Sequence, residues 1–220
     1  MSLIFIPKIM STQKHEWRKK EKAFYQPKTK PEVIEVPAFS FATIQGEGNP
    51  GSELFADCIA ALYSLSYAIK MMPKKMEQPP AGYYDYTVYP LEGVWGLTEE
   101  GVKSYDGTLN KDHLAFTIMI RQPDCVKEAF FQEMLALIKK KKPNPVLDRM
   151  IFETITDGKC VQMMHLGSFD DEPASFARME AFAEEQGLRR LSKKHREIYL
   201  SDFRKVPAEE LKTVLRFWVE

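Results

Sequence analysis

Two stretches of the chain repeat one short pattern, and this constrains the possible folds more than any other feature. Around Ile44 the sequence reads IQGEGNPGSELF, and around His165 it reads HLGSFDDEPASF. In each, an alternating strand-like segment ends in glycine and a phenylalanine follows nine residues later, Gly46 to Phe55 and Gly167 to Phe176. Both glycines are followed by helix-start signals: Ser52 in the first copy, and Asp170 and Asp171 ahead of Pro173 in the second. Gly187 is a suitable residue to end the second helix. Two further strand-like segments follow each helix, Tyr84–Trp95 (interrupted at Pro90) and Leu114–Arg121 in the first half, and His195–Asp202 and Thr213–Val219 in the second. Strand, helix, strand, strand therefore occurs twice, which predicts two pseudo-symmetric halves.

The repeats are expected over about residues 36–122 and 146–220. A helix over 125–142 links them, with Val126, Phe130, Met134, Leu137 and Ile138 at helical spacing. The lysines at 139–142 sit where a helix C-terminus favours cations, and Pro143-Asn144-Pro145 stops it. Residues 1–35 read as an arm. Its segment Lys14–Tyr25 forms a short basic helix, expected to dock Trp17 and Phe24 on the body rather than to contact nucleic acid.

Charge and cysteine content narrow the function. Thirty-one basic and thirty-one acidic side chains give a formal net charge of zero, so no overall field draws the protein to nucleic acid or anionic lipid. No uninterrupted apolar run reaches bilayer length, and the Leu3–Pro7 stretch lacks the basic flank and cleavage site of a signal peptide. A cytoplasmic location follows, with neither nucleic acid nor membrane as partner. Cys58, Cys125 and Cys160 are odd in number and set in apolar surroundings, which suits reduced thiols. The four histidines show no metal-ligand spacing, and glycine-rich nucleotide loops and the G-x-S-x-G elbow are absent. Neither a metal nor a cofactor is expected.

Two faces remain for chemistry. On the helix from about Glu53 to Met72, Leu54, Phe55, Cys58, Ile59, Leu62, Leu65 and Ile69 form the core stripe, and Ala56, Ala60, Tyr63 and Tyr67 form a second face. That face is either the solvated edge of the core or the wall of a ligand groove. On the strand HREIYL, Arg196, Ile198 and Leu200 share one side, and His195, Glu197 and Tyr199 share the other. A carboxylate between a histidine and a tyrosine is either a paired surface residue or, in an aromatic cleft, a general base or counter-ion. Trp95, also at a strand end, is either a flat apolar wall suited to planar molecules or simple core.

KHEW, LYSLSYAIKMMPKK, YTVYPLEGVW, FTIMIRQPD, MMHLGSFDDEPASF and KKHREIYLSDFRKVPAEELKTVLR together resemble the GyrI-like small-molecule-binding family, in its stand-alone bacterial branch. The resemblance covers about residues 12 to 219. It implies an α+β fold: a curved antiparallel sheet built from the two repeats, helices packed on it, and a ligand cleft at their junction. It also implies binding of bulky, often cationic aromatic drugs, with Glu197 at the family's Glu-x-Tyr position as counter-charge. Some stand-alone members hydrolyse the cyclopropane of duocarmycin-type DNA-alkylating antibiotics. In that case Glu197 is the base that activates water, Tyr67 or Tyr199 the hydrogen-bond donor to the carbonyl, and Trp95, Tyr199, Phe41, Tyr63 and His165 the ligand surroundings. The alternatives are a non-catalytic binding, sequestering or sensor module, or interaction with DNA gyrase; a protein partner is not specified.

Overall fold

A computed structural model describes residues 14–220, so the Leu3–Pro7 stretch lies outside the described residues. The ordered elements are α1 (Trp17–Lys20), α2 (Lys22–Tyr25), β1 (Glu32–Glu47), α3 (Glu53–Met71), β2 (Leu91–Leu97), α4 (Glu99–Lys103), β3 (Leu114–Gln122), α5 (Glu128–Lys141), β4 (Ile151–Leu166), α6 (Glu172–Glu185), β5 (His195–Tyr199) and β6 (Lys212–Trp218). The fold is mixed α+β, as the sequence predicts, and its curved antiparallel sheet closes on itself. The strands form a barrel in the order β1-β3-β2-β5-β6-β4. Exchanging β1, β2 and β3 for β4, β5 and β6 returns the same ring, so the repeat seen in the sequence is also a repeat of topology. Closure leaves no strand with an unpaired edge.

The repeated glycines serve different ends. Gly167 has φ +116° just after β4, and its conformational counterpart in the first half is Gly48, at φ +106° just after β1. Both need the left-handed freedom that glycine supplies. Gly46 instead lies within β1 opposite Phe116, and a Cβ there would collide with that ring. The equal glycine-to-phenylalanine spacing survives because a short 3-10 turn at Phe169–Asp171 precedes α6.

Alternation along the strands sorts side chains between two environments. Outward residues of the first half, including Ile44, Ile118, Phe116 and Trp95, pack with Phe55, Cys58, Ile59, Leu62, Leu65 and Ile69 of α3. The expected stripe holds except for Leu54, which is exposed. Val161, Met163, Leu215 and Phe217 pack under Met179 and Ala183 of α6 in a smaller core. With the turn after it, α3 is long and apolar enough to cross a membrane, but its apolar stripe is committed to the barrel. The linking helix buries Phe131, Met134, Leu135 and Ile138. Its stripe is thus rotated from the expected one, because the helix starts at Glu128 and leaves Val126 in the preceding turn.

The barrel interior holds charge. Arg196 donates from Nη1 to Glu92 at 2.9 Å and from Nη2 to Asp157 at 2.9 Å. Arg216 donates to Gln162 at 2.8 Å and lies 3.7 Å from Asp157. Two cations thus meet two carboxylates, which is what makes their burial tolerable.

The arm closes one mouth of this barrel. The Ala23 carbonyl accepts from Gln162 Nε2 at 2.7 Å, and the Phe24 carbonyl from Arg216 at 3.0 Å. Glu21 takes Arg121 at 2.5 Å and the Tyr89 hydroxyl at 2.7 Å. Trp17 docks as expected and is buried, its Nε1 donating to Val88 O at 2.9 Å; Phe24 meets Phe39 edge to face. The expected single helix is two single turns, α1 and α2. Residues 84–90, expected to begin a strand, are outside the barrel: the backbone at Asp85 and Thr87 pairs with His15, and only the part after Pro90 enters β2.

Candidate functional site

The second face of α3 lines a cleft. Ala60, Tyr63 and Tyr67 form one wall, Trp17, Arg18 and Tyr89 another, and Tyr199 with the loop from Leu200 to Lys205 the third, around a volume of about 490 Å³. That volume suits a drug-sized molecule. Ala60 is exposed and Tyr67 is 52% exposed, so the groove is open at that end. Tyr63 and Tyr67 are a helical turn apart, with ring centroids 6.4 Å apart and 31° between planes. Phe203 meets Tyr199 edge to face.

Behind Tyr199 lies a buried acid cluster. β5 is hydrogen-bonded to β2 on one side and β6 on the other, with Gly93 opposite Glu197 and Trp95 opposite His195. The strand has no free edge, and α6 covers its outer face, with Phe176 edge to face on His195 at a ring-centroid distance of 4.6 Å, so that Glu197 is only 8% exposed. His195 Nε2 is 3.0 Å from Glu197 Oε1. Glu172, the first residue of α6, reaches the same place: donor atoms of Glu172, His195 and Glu197 all lie within 4.8 Å of one another. As a carboxylate, Glu172 leaves Oε1 buried with no donor. Protonated, the Glu172 carboxyl can donate to Glu197. Burial, and then the charge of Glu197, push the Glu172 carboxyl well above the ordinary carboxylate range. The cluster thus holds a proton as part of its structure.

Tyr199 joins the cluster to the cleft. Trp95 Nε1 donates to Tyr199 Oη at 2.7 Å, and the Tyr199 hydroxyl faces the Glu197 carboxylate. Burial and the adjacent Glu197 raise the phenol well above its usual range, so Tyr199 keeps its proton. The resulting order is indole, phenol, carboxylate, carboxylic acid. Such an arrangement can take a proton at Glu197 and hold the strand of donors rigid. Two carboxylates and an imidazole are also a donor set that divalent ions accept.

Other expected residues lie elsewhere. Trp95 is buried against Phe55 and Phe116, at ring-centroid distances of 5.6 Å to each, and acts on the cleft through Tyr199 rather than as its wall. Phe41 is absent from the cleft: alternation along β1 turns it into the barrel, with Arg196 Cζ 5.3 Å from its ring centroid. His165 is buried on β4. Its Nε2 is 2.9 Å from Ser168 O, a carbonyl that can only accept, so this nitrogen carries hydrogen; Nδ1 then accepts from Ser175 at 2.9 Å. His165 therefore pins the first turn of α6, which carries Glu172.

An antiparallel barrel flanked by helices, with an aromatic cleft against a buried acid cluster, defines a small-molecule-binding domain. The chain belongs to the GyrI-like small molecule binding domain family, whose model matches residues 29–219. Among solved structures it is similar to a hydrolase encoded by lin2189 from Listeria innocua, at 39% identity and TM-score 0.85 over 94% of this chain and 100% of that one. An uncharacterized conserved protein from Listeria innocua matches at 39% identity and TM-score 0.84, over the same shares of both chains. The C-terminal domain of EcmrR shares the fold alone, at 14% identity and TM-score 0.52 over 87% of this chain and 97% of that one. No curated protein matches the chain.

Proposed function

We propose that the protein binds flat, bulky aromatic xenobiotics in the cleft and hydrolyses electrophilic ones, opening the cyclopropane ring of duocarmycin-type DNA-alkylating compounds by adding water. The observation that carries this reading is the pair of buried carboxyls, Glu197 and Glu172, with oxygens within 4.8 Å of one another behind Tyr199, which lines an aromatic cleft. Relatives at 38–39% identity described as hydrolases support it.

In this reading Glu197 takes the proton of the Tyr199 hydroxyl, which stands between it and the cleft, as that hydroxyl takes one from water, and the water oxygen attacks the cyclopropane methylene. The breaking carbon–carbon bond delivers its electrons into the dienone ring, whose carbonyl oxygen becomes a phenolate and is later protonated. The sum is substrate plus one water. Glu172, by keeping its proton, leaves Glu197 as the group that accepts one; His195 holds its carboxylate in place. Tyr67 at the rim is the donor to the carbonyl oxygen, because the proton of Tyr199 is directed at Glu197. Tyr63 and Tyr67 flank the ring system, and Trp95 fixes Tyr199.

Incubation with a spirocyclopropyl dienone of this class, followed by mass spectrometry, tests the proposal. A product heavier by one water, formed faster than without protein, is expected; unchanged compound contradicts it. One observation favours a non-catalytic binding module instead: Tyr199 stands between the cleft and Glu197. In that case compound is bound, recovered intact, and held equally well by Glu197→Gln.

A further inference from the structure

The charged groups around the cleft are unevenly distributed. Arg18, Arg204 and Lys205 line it, against one carboxylate, Asp202. Asp202 is already taken: Arg204 Nε donates to it at 2.8 Å and Lys205 lies 3.3 Å away. Arg18 is in no ion pair among the described residues. Glu209 and Glu210 line the neighbouring groove across Leu200 and Ser201 with Arg18 on the shared edge, but neither is paired with it. The Glu197 charge is buried behind Tyr199 and is absent from the cleft lining.

Arg18 is also held in position. Its Nη2 donates to Leu200 O at 3.0 Å, across the mouth of the cleft, and its Cζ lies 4.7 Å from the centroid of the Trp17 ring. Trp17 is itself buried and hydrogen-bonded to Val88 O. One guanidinium N–H is used and the others remain, in a planar fork that matches carboxylate, sulfonate or phenolate oxygens. Much of the cost of ordering this long side chain is therefore met before a ligand arrives.

We infer that the cleft selects planar aromatic ligands carrying a negative charge at one end, and that Arg18 of the arm is the residue that recognises this charge. This rests on the cleft being the ligand site and goes beyond the proposed substrates, which carry no such charge, by naming a further ligand class. The aromatic body packs on Tyr63, Leu91 and Tyr199, and the anionic end lies beside Arg18. A cation would meet a net positive lining there, with Arg18 unpaired among the described residues and Arg204 and Lys205 sharing Asp202. The recognition residue lies ahead of residue 29, where the match to the family model begins, so the arm gives this chain a specificity that the family domain alone does not specify.

Two dyes of one skeleton provide the test: anilinonaphthalene sulfonate and its uncharged parent, anilinonaphthalene, titrated by fluorescence at low salt. The sulfonate should bind the full chain roughly three- to tenfold more tightly than the parent, the worth of an exposed but preorganised charge contact, and the gap should narrow in high salt. Arg18→Gln should abolish the gap and Arg18→Glu should reverse it, with the parent's affinity unchanged as the control for an intact cleft. Equal affinity for the two dyes in the wild type, or a gap that survives Arg18→Glu, overturns the inference and leaves the ligand cleft standing. Ala60→Trp fills the groove; if it leaves both affinities unaltered, the cleft reading falls, and the inference with it.

Discussion

Arg196 and Glu197 are consecutive on β5, and they project into two buried ionic clusters that differ in one respect. Inside the barrel, Arg196 and Arg216 face Glu92 and Asp157, so charge is balanced. Outside it, Glu197 meets a second carboxyl, Glu172, with His195 beside both. The inner cluster spans β2, β4, β5 and β6 and has almost no free volume around it, about 10 Å³. It holds strands together. The outer cluster has an excess of acid, retains a proton to remain buried, and is joined through Tyr199 to a 490 Å³ cleft. A balanced buried cluster serves the fold, whereas an unbalanced one is costly to the fold and is the better place to look for chemistry.

The largest effect should come from unbalancing the inner cluster. Arg196→Met strands Glu92, whose carboxyl burial already raises above its ordinary range despite Arg196 beside it. The loss should be about 3–5 kcal/mol, read by urea denaturation. A loss below about 1 kcal/mol would remove the structural role of the inner cluster. The double substitution Arg196→Met with Glu92→Gln should recover part of the loss, since one uncompensated charge goes with it.

A smaller effect, of distinctive shape, is expected from the outer cluster. Glu172 is raised in the folded state relative to its ordinary 4.5, so the folded protein binds more protons than the unfolded chain above that pH. The contribution is fully present below about pH 4.5 and is lost as pH rises toward the folded value. Glu172→Gln copies the protonated form. Thermal melts from pH 5 to pH 9 should therefore show a falling wild-type curve and a flatter one for the variant, with the variant the more stable at the alkaline end. Parallel curves would mean that the cluster holds no such proton.

Much of this was legible in the sequence. Alternation in HREIYL placed His195, Glu197 and Tyr199 on one face, and the alanine-tyrosine face of α3 does border the cleft. What was hidden depends on register between distant segments. Nothing in the sequence singles out Glu172 itself, the first residue of α6; it faces Glu197 only because β4 delivers α6 over β5. The one signal available was that the same motif, HLGSFDDEPASF, holds His165, which anchors that turn. Phe41 looked like a wall because aromatic character says nothing about which side of a closed sheet a strand position faces. The arm's basic composition suggested solvent, yet its carbonyls cap buried polar groups, a role composition does not encode.

The smallest effect concerns the link between cluster and cleft. Trp95→Phe keeps the ring packing against Phe55 and Phe116 and removes the donor to Tyr199 Oη. Stability should fall by about 1 kcal/mol, with a few-fold change in ligand affinity at the cleft measured by fluorescence. An unchanged affinity would separate Trp95 from the site.

The most direct measurement is turnover of a spirocyclopropyl dienone by Glu197→Gln beside the wild type, with melting temperature and ligand affinity taken on the same samples. Removing a base while keeping its shape should lower kcat by roughly 10² to 10⁴, leave affinity for a neutral aromatic ligand nearly unchanged, and leave the fold intact. A variant that adds water as fast as the wild type would contradict the account and return Glu197 to a purely structural place beside Glu172.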